Sequence, residues 1–259
     1  MDPVTYSSYL ALDEVLAAQR PRSGEPDELL FIVVHQVYEL WFKQLLHEMD
    51  RLRAHFAAGD SHRGLDALKR ILTILKVAVA QVDVLETLTP RQFTGFRTRL
   101  EAASGFQSAQ FRELEAVLGR RDPGLVRGHP EGSAGRAAIE RRAGEPPVFD
   151  AYARLLAGRG YPVAPSFLAR DPAQPYEGSE EMQDVLFAMY QDDGPEAQLA
   201  ERLVDLDEGL QEWRYRHVKM VQRTIGDKPG TGGSSGSDYL RSTLFTPVFP
   251  DLWALRHRL

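Results

Sequence analysis

From Asp27 to Phe56 the chain reads as one long helix. Its interior, LLFIVVHQVYELWFKQLLHEM, is apolar on more than one face before it narrows to a stripe of Val34, Val37, Trp41, Leu45 and Met49. A helix apolar nearly all round at one end must be covered there by other elements, so it belongs at the centre of a core. A second helical pattern runs from Gly64 to Leu88, with Leu65, Leu68, Leu72, Leu75, Val79, Val82 and Leu85 on one face. A third, Glu196 to Ile225, repeats Leu206, Leu210, Trp213, Met220, Val221 and Thr224 at helical spacing. No segment alternates between hairpin turns as strands do, and no repeat of fixed period is visible. The expected fold is an all-α helical bundle.

Shorter helical patterns fill the rest. Tyr6 to Leu16 reads as a short amphipathic helix. Thr89 caps and Pro90 opens a segment reaching Leu100, and Phe106 to Leu118, Phe149 to Gly158 and Glu180 to Gln191 follow, with a last turn at Leu252 to Arg258. Arg120 to Pro147 is rich in glycine, proline and arginine and reads as a poorly ordered excursion with one short helix; Tyr161 to Pro175 reads as loop. The chain, 1–259, is expected to form one domain, with residues 1–20 as an N-terminal arm and 120–180 as a variable middle region.

Composition narrows the chemistry. Hydrophobic residues make up 43% and charged residues 26% of 259, as in a soluble globular protein. A net charge of −6 without a basic block argues against a nucleic-acid partner. With no cysteine, disulfides, thiolate zinc sites, iron–sulfur clusters and thiolate-ligated haem are all excluded. The N-terminus, MDPVTYSSYLALDEVL, lacks the basic-then-apolar order of a secretory signal, and no apolar stretch reads as a membrane span. The expected location is the cytoplasm.

Four features carry possible chemistry, each with a plainer alternative. His217 falls in the apolar stripe of the third long helix, while Arg214, Arg216, Lys219 and Arg223 point elsewhere. It is either a core histidine bonded to a carbonyl or a ligand to something bound. His35 shares one face with Phe31 and Tyr38, so it is either a packed core residue or a polar handle for a ligand N–H. Arg97 follows Phe93 and Phe96 and either snorkels to water or captures a carboxylate. The loop Gly230 to Gly236 is either a linker or a set of N–H groups turned toward an anion. The turn Ser104-Gly105-Phe106-Gln107-Ser108 permits close approach to a flat ligand. His47, His55, His62, His129 and His257 read as solvated. Together these suggest a helical pocket for a flat aromatic ligand or cofactor.

The same segments resemble the tryptophan 2,3-dioxygenase family. The likeness covers TYSSYLALDEVL (5–16), DELLFIVVHQVYELWFKQLLHEMD (27–50), LKRILTILKVAVAQVDVLETLTPRQFTGFR (68–97), SGFQSAQFRELE (104–115) and WRYRHVKMVQRTIGDKPGTGGSSGSDYLRST (213–243). It is weakest over 120–180. The resemblance implies a haem b protein, ferrous when active, with His217 as the proximal iron ligand. It implies addition of dioxygen across the indole C2–C3 bond of L-tryptophan, giving N-formylkynurenine. His35 matches the distal histidine that bonds the indole N–H, and Phe31 the aromatic wall, with Ile32, Val33 and Val34 in the same substrate-binding run. Arg97 matches the carboxylate clamp and Thr231 the hydroxyl near the ammonium, which also pairs with a haem propionate. Phe93 also lies at the substrate, and Ser104 and Gly105 against the haem. Tyr6 and Tyr9 match an N-terminal helix that reaches a neighbouring subunit's pocket in a homotetramer. Two other outcomes share these features: a monooxygenase giving an oxindole from tryptophan or a methylated tryptophan, and a non-catalytic haem sensor. The sensor would not need His35, Arg97 and Thr231 together.

Overall fold

A computed structural model describes residues 3–101, 103–226, 228, 241 and 243–259. Twelve α-helices are described in them, and no strand. They are α1 (Tyr6–Tyr9), α2 (Leu12–Leu16), α3 (Asp27–Ala57), α4 (Ser61–Leu85), α5 (Pro90–Arg97), α6 (Ala109–Leu118), α7 (Ala134–Ala143), α8 (Val148–Gly158), α9 (Pro165–Leu168), α10 (Glu180–Gln191), α11 (Pro195–Ile225) and α12 (Pro250–Ala254).

The frame is three long helices, with α4 packed on both α3 and α11. Their apolar stripes meet in one core, where Leu52, Leu68, Ile71, Leu199 and Leu203 are fully buried. Two glycines set how closely the helices approach. A Cβ on Gly209 would lie 2.9 Å from Leu75 Cδ2, and one on Gly64 3.1 Å from Phe56 Cε1. The caps follow the sequence: Asp60 accepts from the Arg63 N–H at 3.0 Å, and Thr89 and Gln92 form a capping box around Pro90.

Four expectations change. The segment from Arg120 to Pro147 is packed, not loose. Helix α7 lies on α6 and buries Ile139 completely against Ala116 and Leu125. Its arginines, which suggest solvation in the sequence, close backbone and ion-pair contacts instead. Arg121 donates to the carbonyls of Ala116, Pro172 and Glu145, and Arg142 is bidentate on Asp50 at 2.5 and 2.7 Å. The stretch read as loop after Tyr161 contains α9. The expected helix from Tyr6 to Leu16 is two, broken where Ala11 takes a positive φ of 48°, and neither buries a residue. Finally, α3 is long and apolar enough to cross a membrane by length and composition, contrary to the sequence reading. Here it packs against α4, α6 and α8 and carries buried Glu28 and Glu48, as a core helix does.

Buried carboxylates fasten the C-terminal segment: Asp251 within it accepts from Tyr176, Ser179 and Gln183, and Asp207 holds it from α11. Asp207 on α11 has no exposed surface. It accepts from the N–H groups of Val248 (2.7 Å) and Phe249 (3.0 Å), from Trp253 Nε1 (2.9 Å) and from Gln211 Nε2 (3.0 Å). Truncation would orphan these donors in a dry site. Asp207→Ala is expected to lower unfolding free energy by roughly 3 kcal/mol in urea denaturation, and Asp207→Asn by less. An unchanged midpoint in Asp207→Ala contradicts this role.

Candidate active site

Helices α3, α4, α5, α6 and α11, with the 104–108 turn, line a cavity of about 250 Å³. Helix α3 contributes Phe31, His35, Tyr38 and Phe42, which recur at helical spacing on one face. Helix α5 contributes Phe93 and Arg97, the turn Ser104, Gly105 and Phe106, and α11 Trp213, Arg214, His217, Met220, Val221 and Thr224.

At one end Phe31 is the hub of an aromatic cluster. Its ring lies 4.1 Å from that of His35, 5.7 Å from Phe93 and 5.5 Å from Phe96. Phe96 is fully buried behind this wall, and half-buried Arg97 faces the cavity beside it. His35 Nδ1 is 2.7 Å from the Phe31 carbonyl oxygen. A carbonyl can only accept, so Nδ1 carries the proton and Nε2 keeps its lone pair. His35 therefore offers the cavity an acceptor.

At the other end His217 stacks on Trp213, ring centres 5.1 Å apart at 23°. Trp213 in turn packs against Phe111 at 4.7 Å and Phe42 at 6.5 Å. Burial, and then the charge of His35, hold the His217 imidazole down at about 4. Burial also lowers His35, against the opposing effects of the Phe31 carbonyl and Glu39. Both rings are neutral at pH 7. Unfolded, each takes up a proton near pH ~6.5, so stability should fall as pH drops from there toward 4, by up to about 3 kcal/mol for His217. The urea midpoint of the porphyrin-free chain should therefore be lower at pH 5 than at 7, and His217→Ala should flatten part of that slope. Equal slopes in the two proteins contradict a neutral His217 in the fold.

The cavity thus joins His35, Phe31, Phe93, Arg97, Ser104, Gly105 and His217. Ile32, Val33 and Val34 do not line it, because each helical step turns them away. Val34 is buried in the core and Val33 is exposed. Thr231 lies outside the described residues. Tyr6 and Tyr9 do not line this chain's cavity and are 76% and 78% exposed.

Sequence reasoning missed Arg214, which does not point away. Its side chain is 10% exposed, lines the cavity and sits 3.5 Å from Glu115. Trp213 carried a signal that could have been used, since it stands four residues before His217 on the same stripe. His55 and His129 are half-buried, and each keeps Nε2 shielded without a hydrogen-bond partner, so neither is simply solvated.

Fold and wall together define a helical-bundle protein with a largely apolar cavity flanked by two histidines. Residues 1–128 and 182–259 match the model of the family described as tryptophan 2,3-dioxygenase. The chain belongs to the tryptophan 2,3-dioxygenase family. It is 61% identical over 260 residues to a tryptophan 2,3-dioxygenase of Anaeromyxobacter sp. (strain K), covering 99% of this chain and 96% of that one. The enzyme of the same name from Herpetosiphon aurantiacus is 53% identical over 98% of this chain and 97% of its own length. That of Pseudomonas aeruginosa is 43% identical, over 99% and 90%.

Proposed function

We propose that this chain is a haem-dependent dioxygenase that opens the indole ring of L-tryptophan to N-formylkynurenine, both added oxygen atoms coming from dioxygen. The observation that carries it is the pairing, across one cavity, of a neutral acceptor at His35 with a neutral, half-buried imidazole at His217, beside Arg97.

The wall fits a haem. His217 is deprotonated at neutral pH, rests on the Trp213 plane and, among the described residues, spends neither ring nitrogen on a hydrogen bond. A neutral imidazole of this kind is a donor suited to haem iron. Met220, Val221, Val82 and Leu85 give the same cavity apolar walls. Bound by His217, haem b supplies the activation of dioxygen that a closed-shell indole cannot achieve alone.

The remaining roles fall to the chain's own residues. Arg97 takes the amino-acid carboxylate through its planar fork. Phe31 and Phe93 pack on the indole, and Phe96 braces them from behind. His35 Nε2 accepts from the indole N–H while Nδ1 stays tied to Phe31, which fixes the ring's orientation. His35 thereby orients the substrate; an indole N–H is too weakly acidic for proton removal to be the natural role of an imidazole. The Ser104–Gly105 turn lets backbone approach the flat cofactor. By the family likeness Thr231 meets the substrate ammonium. Tyr6 and Tyr9 reach into a neighbouring subunit of a homotetramer, for which their exposure leaves them available. We place this single-domain enzyme in the cytoplasm.

Indole N-methylation tests the His35 role. His35→Ala should weaken tryptophan binding to the haem-loaded protein roughly tenfold, as loss of one buried hydrogen bond would. Affinity for 1-methyltryptophan, which has no indole N–H, should change little. Equal losses for both ligands would remove His35 as the indole partner.

A further inference from the structure

A second cavity, of about 30 Å³, adjoins the one described above and shares part of its wall. Helices α3, α4, α6 and α11 enclose it, through Leu45, Met49, Leu75, Leu114, Leu206 and Leu210 among others. All six are buried, and none of them lines the larger cavity. Three rings line both spaces, those of Phe42, Phe111 and Trp213. Their centres lie 4.7 to 6.5 Å from one another, so they form an aromatic partition between the two.

The small cavity offers nothing to a polar guest. Water inside a protein needs several hydrogen-bond partners, and an apolar space without them stays dry. Glu115 is the charged residue on this lining, and its carboxylate is taken up by Arg112 and Arg120. The Trp213 indole N–H has no hydrogen-bond partner, but the side chain acts on the Tyr38 hydroxyl, and Tyr38 lines the larger cavity and not the smaller. Leu45, Leu75 and Leu206 sit well inside long helices, whose main-chain groups bond along the helix.

Packed cores keep few voids that could hold even a water molecule, so one that persists beside a reaction cavity asks for an occupant. An indole ring is far too large for it. A diatomic, apolar gas fits, because such a molecule leaves water for an apolar wall favourably and asks for no hydrogen bond. Dioxygen is the gas that the reaction proposed above consumes. The partition also has a ring with room to turn. Phe42 is buried and Trp213 is held in its stack with His217, whereas Phe111 is half-buried and faces the larger cavity.

We propose that the small cavity is a docking site for dioxygen, which exchanges with the larger cavity past Phe111. This rests on the dioxygenase reading above, which gives the gas its use.

Xenon, an apolar atom, is the probe. In the haem-loaded, carbonmonoxy chain saturated with L-tryptophan the larger cavity is filled, so xenon NMR reports on the space that is left. The unaltered chain should show a saturable shift of the xenon resonance. Leu206→Phe, which puts a ring into the small cavity about three helical turns from His217, should abolish it. In turnover the same variant should raise the KM for dioxygen at least roughly twofold with kcat and tryptophan affinity unchanged, the signature of lost uniform binding. A mere packing defect would instead lower kcat or haem retention at constant KM for dioxygen. Leu118→Phe, entering the same space from α6, should reproduce both effects and stands in if the first variant fails to fold. Absence of a saturable xenon shift in the unaltered chain overturns the inference without need of any variant. Xenon binding with an unchanged KM for dioxygen in the filled variants overturns the assignment to dioxygen. If the unaltered, haem-loaded chain turns over no tryptophan, the dioxygenase reading fails and the inference with it; turnover without a xenon site strikes this inference alone.

Discussion

His217→Ala is expected to yield a folded chain that retains no haem. The side chain stands on a cavity wall, with Trp213 beneath it and open volume before it. Truncation therefore removes few packing contacts, unlike a cut in the Leu68 or Ile71 layer, where each large-to-alanine change costs about 2–5 kcal/mol. What disappears is the nitrogen ligand, and the described wall offers His35 as the other imidazole, already committed through Nδ1 to Phe31. Helical circular dichroism should be unchanged while the Soret band at stoichiometric haem is lost. Free imidazole, small enough to occupy the vacated space, should restore part of it. A variant that keeps full, tightly held haem would show that iron is ligated elsewhere.

Arg97→Met should be the most damaging change to substrate binding. Arg97 shares the cavity wall with Phe31 and Phe93, so a carboxylate reaching it leaves water for an aromatic environment. Removing the cation leaves that carboxylate desolvated without a partner, a loss of roughly 2–5 kcal/mol, equivalent to about thirtyfold or more in affinity. Methionine preserves much of the apolar stem, which separates the charge from the packing. Tryptamine supplies the control, because it has the indole and ammonium but no carboxylate. Tryptophan and tryptamine should bind the unaltered protein very differently and the variant nearly alike. Undiminished discrimination in Arg97→Met would assign the carboxylate to another residue.

Much of this pocket could be read from the chain because helices announce their faces. Phe31, His35, Tyr38 and Phe42 are spaced three or four apart, as are Trp213, His217 and Met220, so each set had to share a surface once the segments were helical. What spacing could not supply was which polar residue turns inward. Arg214 adjoins Trp213 in a run of charges and looks solvated, yet Glu115 and the carbonyls of Thr243 and Thr246, all distant in sequence, hold it in the wall. Ile32, Val33 and Val34 follow one another along α3 and so do not all share the cavity-facing side with Phe31 and His35. The region after Arg120 was opaque for a related reason. Its order depends on Arg121 capping carbonyls of Ala116, Glu145 and Pro172, and on Arg142 reaching back to Asp50, partners that no local pattern reveals. The family model leaves 129–181 unmatched, although the relatives align over nearly the whole chain.

The proposed reaction turns on the fate of dioxygen at an indole that Phe31, His35 and Arg97 are expected to hold. Haem-loaded, reduced protein given L-tryptophan and isotopically labelled dioxygen should release a product heavier by two labelled oxygen atoms, read by mass spectrometry. A product that gains a single labelled oxygen, as an oxindole would, contradicts ring opening while leaving the same residues to hold the substrate.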